Sequence, residues 1–339
     1  MTIASLIAPF LERHLGFAVG EHEIELTELT GGLEASSVVL VTAKTRGAMG
    51  EPFRFVVKRI SGHARREAAI YRHLSRHGSQ LPARPFWIDD AVEHSAALYL
   101  EALSCPAAWP WSRLETARLV LDEVAVLHAS HRHDRGAALP AWDYDADLCR
   151  RAESLCATLE GLPRGGELHA LRAALPIVRR LLIDIPRWRA HLLDLAPLGQ
   201  TLIHGDLHTA NVLFREGRTG ARPVLIDWGR ARAGSPLEDV SSWLQSLGYW
   251  ESGAKLKHDT LLKGYLAPFG VGLSEDVRTA YWLAGASNAL AGALHYHVAC
   301  ALAAKDGPTR DAALAAASDW IRILRRADIR WRALGQDRQ

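Results

Sequence analysis

The sequence predicts an α+β chain in two lobes, an N-terminal antiparallel sheet with one helix followed by a mainly helical C-terminal lobe. Three observations carry this expectation. Strand-like runs crowd into the first third of the chain, and helical periodicity dominates after residue 104. Short strand signals then return between residues 201 and 228, around the densest polar motifs.

Taken in order, the opening MTIASLIAPFLERHLG lacks a basic leader and is interrupted by Glu12 and Arg13, so it reads as an amphipathic surface helix and not a signal peptide. EIELTEL (23–29), SSVVLVTA (36–43) and FRFVVKRI (53–60) form a meander, separated by turns at Thr30-Gly31-Gly32 and from Arg46-Gly47 to Pro52. A helix from Ala64 to Arg76 ends at Gly78, Pro82 and Pro85 mark its exit, and ALYLEAL (97–103) supplies another strand. The prolines of SCPAAWPW then break regular structure and divide the chain into lobes 1–103 and 104–339.

In the second lobe, ETARLVLDEVAVLHAS and the stretch 146–198 are helical, and TLIHG, NVLF and PVLIDW are short strands. The chain is helical again after Pro236. Its longest helix is expected to start at Ser274 as N-cap and to run to Lys305-Asp306-Gly307-Pro308, with a charged, frayed tail from Arg330.

Composition narrows the function classes. With 48% hydrophobic and 23% charged residues the chain is an ordinary globular protein, and its net charge of +2 is interspersed, so no nucleic-acid partner is expected. No apolar run approaches the roughly 20 residues of a membrane span, which points to a cytoplasmic protein with no membrane partner. Cys105, Cys149, Cys156 and Cys300 form no C-x-x-C pair and read as reduced core thiols. Oligomeric state leaves no mark in the sequence.

The strongest signal is LIHGDLHTANVLF (202–214), followed by VLIDWGRARAGSPLEDVSSW (224–243). A loop between short strands can present Asp206 and Asn211 to one point, and the end of the next strand can bring Asp227 to the same place. Phosphoryl transfer needs such a set: a carboxylate to deprotonate an acceptor hydroxyl, and hard oxygen ligands for a magnesium ion that neutralises phosphate charge. Lys58, inside the apolar strand FRFVVKRI, is costly there unless paired, and Glu67 in the following helix is its natural partner.

His204-Gly205-Asp206, Asn211 and Ile226-Asp227-Trp228, with Ala231, Gly234, Pro236 and Asp239, resemble the aminoglycoside phosphotransferase and choline kinase-like family. The resemblance spans about residues 23–325. It implies a protein-kinase-like two-lobed fold in which the first lobe binds ATP and the second binds a small-molecule hydroxyl acceptor: an aminoglycoside or other antibiotic, an amino alcohol, a sugar or a hydroxy amino acid. It further implies Asp206 as base, Asn211 and Asp227 as Mg2+ ligands, Lys58 on the phosphates and Glu67 as its orienter. Backbone groups of Glu101 and Leu103 would meet adenine, and Gly31, Gly32 and Ser36 would lie over the phosphates, where an ordinary hairpin turn explains the same residues. Asp239 would fasten the catalytic loop, with His204 a structural hydrogen-bonder.

Gly205 stands where protein kinases carry the arginine that answers an activation-loop phosphate, so the resemblance implies constitutive activity. A protein kinase would also need an A-P-E segment, which is absent between Asp227 and Trp243. An ATP-binding pseudokinase sensor or scaffold is the alternative, against which the intact Lys58, Asp206, Asn211 and Asp227 argue. For the acceptor, Tyr281, Asn288 and His295 repeat every seven residues and share a helical face, while Trp243 and Trp250 share another. Each set reads either as acceptor pocket or as helix packing.

Overall fold

The computed structural model describes residues 3–15, 22–29, 35–45, 51–90, 94–103, 113–132, 139–165, 167–195, 197–216, 220–250 and 252–336. The chain falls into two compact units, Met1–Ala108 with Asn211–Ala231, and Trp109–Ala210 with Arg232–Gln339. In chain order the first unit opens with α1 (Ile3–Leu15), β1 (His22–Glu28), β2 (Ala35–Thr45), β3 (Phe53–Ser61), α2 (Arg66–Arg76), β4 (Pro85–Asp89) and β5 (Ser95–Glu101). The second unit takes over with α3 (Leu114–Ser130), α4 (Tyr144–Gly161), α5 (His169–Arg172), α6 (Leu175–Ile183), α7 (Ile185–Leu193) and β6 (Thr201–Ile203). Strands β7 (Val212–Arg215) and β8 (Arg222–Leu225) belong to the first unit. Then β9 (Arg232–Gly234), α8 (Pro236–Trp250), α9 (His258–Leu266), α10 (Glu275–Asn288), α11 (Leu294–Ala303) and α12 (Gly307–Gln336) complete the second.

In the first unit, five strands pair antiparallel in the order β1-β2-β3-β5-β4. Alternation along β3 sends Phe55 and Val57 to one face and Lys58 to the other. Helix α1 covers the Phe55 face, burying Ile7, Phe10 and Leu11 against Val39, Val41, Phe55, Val57 and Tyr99. The Phe10 ring lies 4.6 Å from that of Tyr99 and 4.7 Å from that of Phe55. Burial of a side chain that size contributes about 2–3 kcal/mol, so α1 is held by its apolar stripe. Helix α2 carries Glu67 to the Lys58 face and buries Ala68, Ile70, Tyr71 and Leu74. A 3-10 turn (Gly62–Arg65) precedes it where an earlier helix start was expected, and Gly78 at φ 67° lies just beyond its end.

Strand β4 was not anticipated, because Pro82 and Pro85 read as breakers. Pro85 is instead the first residue of an edge strand, where its missing N–H costs no ladder bond. Strands β7 and β8 form a separate ribbon, registered from Val212↔Leu225 to Arg215↔Arg222. Leu225 zips it to the segment before β4, donating to Leu81 O at 2.7 Å and accepting from Ala83 N at 3.2 Å.

In the second unit, α3, α4 and α7 to α12 surround a core that includes Leu121, Leu148, Trp188, Trp243, Leu283 and Leu324. The two-stranded pair β6–β9 sets Ile203 opposite Arg232. Ser274 caps α10 as expected, its Oγ accepting from Val277 N at 3.3 Å. The expected single long helix after it does not form. A π-turn spans Ala289–Ala293, with Gly292 at φ 147°, and Arg151 Nη1 donates to the Ala291 carbonyl at 3.2 Å. Among the described residues the tail expected from Arg330 onward is helical: α12 continues to Gln336, with Arg330 paired to Glu275 and the Trp331 indole donating to Asp184. Among the described cysteines, Cys149, Cys156 and Cys300 are free thiols; Cys105 lies outside the described residues.

Candidate active site

Lys58 sits mid-strand on β3 with 8% of its surface exposed, and its Nζ lies 2.8 Å from Glu67 and 2.7 Å from Asp227. A buried ammonium on an apolar strand is stable only with such partners. Burial pulls its pKa down, but Glu67 and then Asp227 outweigh that and hold it above the ordinary lysine value, so Lys58 stays a cation. Glu67 is fully buried, and burial pushes its carboxyl up to about 7 against the pull of Lys58.

Asp227 follows β8 and adopts the left-handed conformation, φ 64° and ψ 61°. For a residue with a β-carbon this costs roughly 1–2 kcal/mol, and three contacts offset it. Lys58 holds the Asp227 carboxylate, the Trp228 N–H donates to Glu67 at 3.1 Å, and Arg66 Nη1 donates to the Ala231 carbonyl at 2.8 Å. Of the three charged groups, Asp227 is the most solvent-exposed, at 32%. Asn211 is buried immediately before β7, and its carbonyl accepts from Ile226 N at 3.0 Å, next to Asp227 in the chain. A carboxylate and a carboxamide so placed offer the hard oxygens that a small divalent cation takes.

Asp206 belongs to the second unit, on the loop after β6. Its side chain is 42% exposed, and its backbone N–H donates to His204 Nδ1 at 3.3 Å. The loop is tied down by Asp239 near the start of α8, which accepts from the N–H groups of His204 at 2.7 Å and Gly205 at 2.8 Å. Behind Asp239, His128 Nε2 lies at 3.1 Å from the carboxylate and His128 Nδ1 at 2.7 Å from the Tyr265 hydroxyl. Burial alone would raise Asp239, but His128 and the Gly205 amide hold it below the ordinary carboxylate value. His208 Nδ1 accepts from Ala210 N at 3.2 Å, and its Nε2 lies 3.8 Å from Asp206.

Of the residues expected at the nucleotide, Gly31 and Gly32 lie outside the described residues, and Ser36 is exposed, with its Oγ donating to Arg59 O at 3.1 Å. Leu103 follows β5, half-buried. Glu101 ends β5 with its N–H donated to Arg84 O at 2.9 Å.

The residues expected as an acceptor stripe have partners within the helices. Tyr281 is buried and accepts from Gln245 of α8, Asn288 donates to the Glu238 carbonyl, and His295 faces Thr158 of α4. The π-turn rotates the chain between Asn288 and His295, so the seven-residue alignment ends there. Each of the three thus has its partner on a neighbouring helix, α8 or α4. Trp243 is fully buried, and its indole donates to Ala117 O at 3.1 Å. The Trp250 side chain lies outside what the structure describes.

Three arginines went unnoticed in the sequence. Arg66 is buried and staples the residues after Asp227 to α2. Arg232 and Arg189 share the fully buried Glu238 in the second unit, with Arg232 stacked 3.5 Å above the Tyr144 ring. A buried charge at Glu238 was the available signal.

The model of the phosphotransferase enzyme family matches residues 25–275. The chain belongs to this family. As a phosphotransferase it is an enzyme, and its fold is shared with solved ethanolamine and choline kinases and an aminoglycoside phosphotransferase. A Plasmodium vivax ethanolamine kinase covers 90% of this chain and 83% of its own at 10% identity, with a TM-score of 0.58. A Streptococcus pneumoniae choline kinase covers 94% and 98% at 16% identity, TM-score 0.54. An aminoglycoside phosphotransferase from Alicyclobacillus acidocaldarius covers 94% and 95% at 15% identity, TM-score 0.54. No curated protein matches the phosphotransferase. Among its described residues no helix is long and apolar enough to cross a membrane.

Proposed function

We propose that this phosphotransferase moves the γ-phosphoryl group of ATP to a hydroxyl of a small molecule, with Asp206 as the base. The observation that carries the reading is the buried Lys58–Glu67–Asp227 cluster, which holds a cation and a strained, partly exposed carboxylate side by side. Lys58 would neutralise phosphate oxygens, with Glu67 fixing its direction. Asn211 and Asp227 fit a magnesium ion by donor type, one neutral and one charged oxygen; that ion would supply further neutralisation of the phosphates. The Glu101 carbonyl and Leu103 N–H would take the adenine edge.

Asp206 is exposed enough to receive an acceptor, and its loop is fixed through Asp239. In the transfer, the acceptor oxygen bonds to the γ-phosphorus, the bond to the β–γ bridging oxygen breaks, and the hydroxyl proton passes to the Asp206 carboxylate. ADP and a phosphate monoester leave. The acceptor class is an aminoglycoside or other antibiotic, an amino alcohol, a sugar or a hydroxy amino acid. The names of the similar structures support the aminoglycoside and the amino alcohol.

Magnesium-dependent ADP release, screened across those acceptors with the purified protein, tests the reading. A stimulating acceptor names the substrate class. Tight ATP binding with no acceptor-stimulated release across the screen would favour a sensor instead.

A further inference from the structure

We propose that Arg215 is a positioning residue that couples the adenine strand to the metal-bearing ribbon, by locking Glu101 of β5 to β7. The inference rests on the nucleotide reading above and concerns the first unit alone. The ribbon β7–β8 starts immediately after Asn211 and ends two residues before Asp227. At that end it is zipped to the segment Leu81–Ala83 through Leu225. Contacts at that end alone would let the far end of the ribbon swing. Arg215 lies at that far end, one strand length away and paired with Arg222.

Arg215 uses its whole guanidinium. Nε donates to Glu101 Oε2 at 3.1 Å and Nη2 donates to Glu101 Oε1, a bidentate fork. Nη1 donates to Gln80 O at 3.0 Å, and Nη2 reaches Pro82 O at 3.4 Å. Glu101 Oε1 also accepts from Arg84 N at 2.6 Å, while the Glu101 N–H returns to Arg84 O. The carboxylate is 14% exposed and the guanidinium 29%. An ordinary surface pair would hold nothing in place, but a planar fork that also spans two carbonyls fixes distance and roll together.

The consequence falls on ligands that need both ends at once. Adenosine needs only the hinge strand at Glu101, whereas MgATP must meet that strand and the Asn211–Asp227 pair simultaneously. Breaking the lock lets the two drift, and the advantage of MgATP over adenosine shrinks.

Isothermal titration of adenosine, and of ATP with and without magnesium, into the wild type, Arg215→Met and Arg215→Lys tests this. The expected result is a loss on the order of tenfold in MgATP affinity, as for a typical coupling between sites, with adenosine affinity held within about twofold. Lysine should not rescue, because a point charge cannot form the fork. Arg215→Gln, which also cannot form the fork, provides a second break should the other variants fold poorly, and it should show the same loss. An unchanged MgATP-to-adenosine ratio with only a lowered melting temperature would reduce Arg215 to a structural brace and overturn the proposal. A wild type that binds no MgATP would instead sink the nucleotide reading, and this inference with it.

Discussion

Gly234 shows how little room the second unit leaves around the strand that precedes Asp206. A β-carbon there would stand 2.5 Å from Ile203 Cδ1 and 2.8 Å from Glu238 Oε2. Gly234→Ala is therefore expected to destabilise by about 1–3 kcal/mol, as overpacking does, read as a shift in denaturant midpoint. A midpoint unmoved by the alanine would mean that Ile203 and Glu238 can both give way. Trp243→Ala belongs to the same scale. A fully buried indole leaves a cavity worth about 3–5 kcal/mol, so stability should fall while acceptor preference among surviving molecules stays the same. A changed preference would return Trp243 to the acceptor pocket. At this scale Lys58 and Glu67 were legible, because a charge inside FRFVVKRI demands a partner and the next helix offers one. Arg215 and Glu101 were not, because their pairing joins residues 114 apart in the chain and neither breaks a local rule.

Helix α1 and the start of α9 carry the predictions at the level of elements. Phe10→Ala removes the ring that packs against Phe55 and Tyr99, on the sheet face opposite Lys58. A loss of about 3–5 kcal/mol is expected, with hydrogen exchange rising along β3 and β5; exchange confined to α1 would show that the helix is a dispensable cover. His258 opens α9, and burial drives its pKa from 6.5 down to about 4. It is neutral in the folded protein, whereas the unfolded chain takes up its proton at 6.5. The stabilisation is complete above pH 6.5 and is lost as pH falls towards 4, a slope integrating to about 2 kcal/mol for a partly solvated group. His258→Asn should flatten that part of the pH–stability curve, and an identical slope in the variant would place the titration elsewhere.

The elements were readable where one period governed them. The β3 strand and α2 kept their sequence pattern, and Ser274 capped α10. The alignment of Tyr281, Asn288 and His295 presumed an unbroken helix, and nothing local announces a π-turn among alanines except Gly292. Strand β9 has three residues, too short for any period to show.

At the scale of the whole molecule, the chain divides its chemistry between two units. The first holds Lys58, Glu67, Asn211 and Asp227, and the second holds Asp206 on a loop fastened by Asp239. That division follows from the roles proposed for them: charge neutralisation needs a rigid, buried cluster, and a base needs an open, well-aimed carboxylate. The protein should therefore bind nucleotide without its base, and lose transfer without losing that binding. The most direct test pairs turnover of the best acceptor with MgATP affinity in Asp206→Asn. The account predicts a fall in kcat of about 10²–10⁴-fold, the usual worth of a general base, with MgATP affinity within about twofold of wild type. Turnover sustained near the wild-type rate would contradict it.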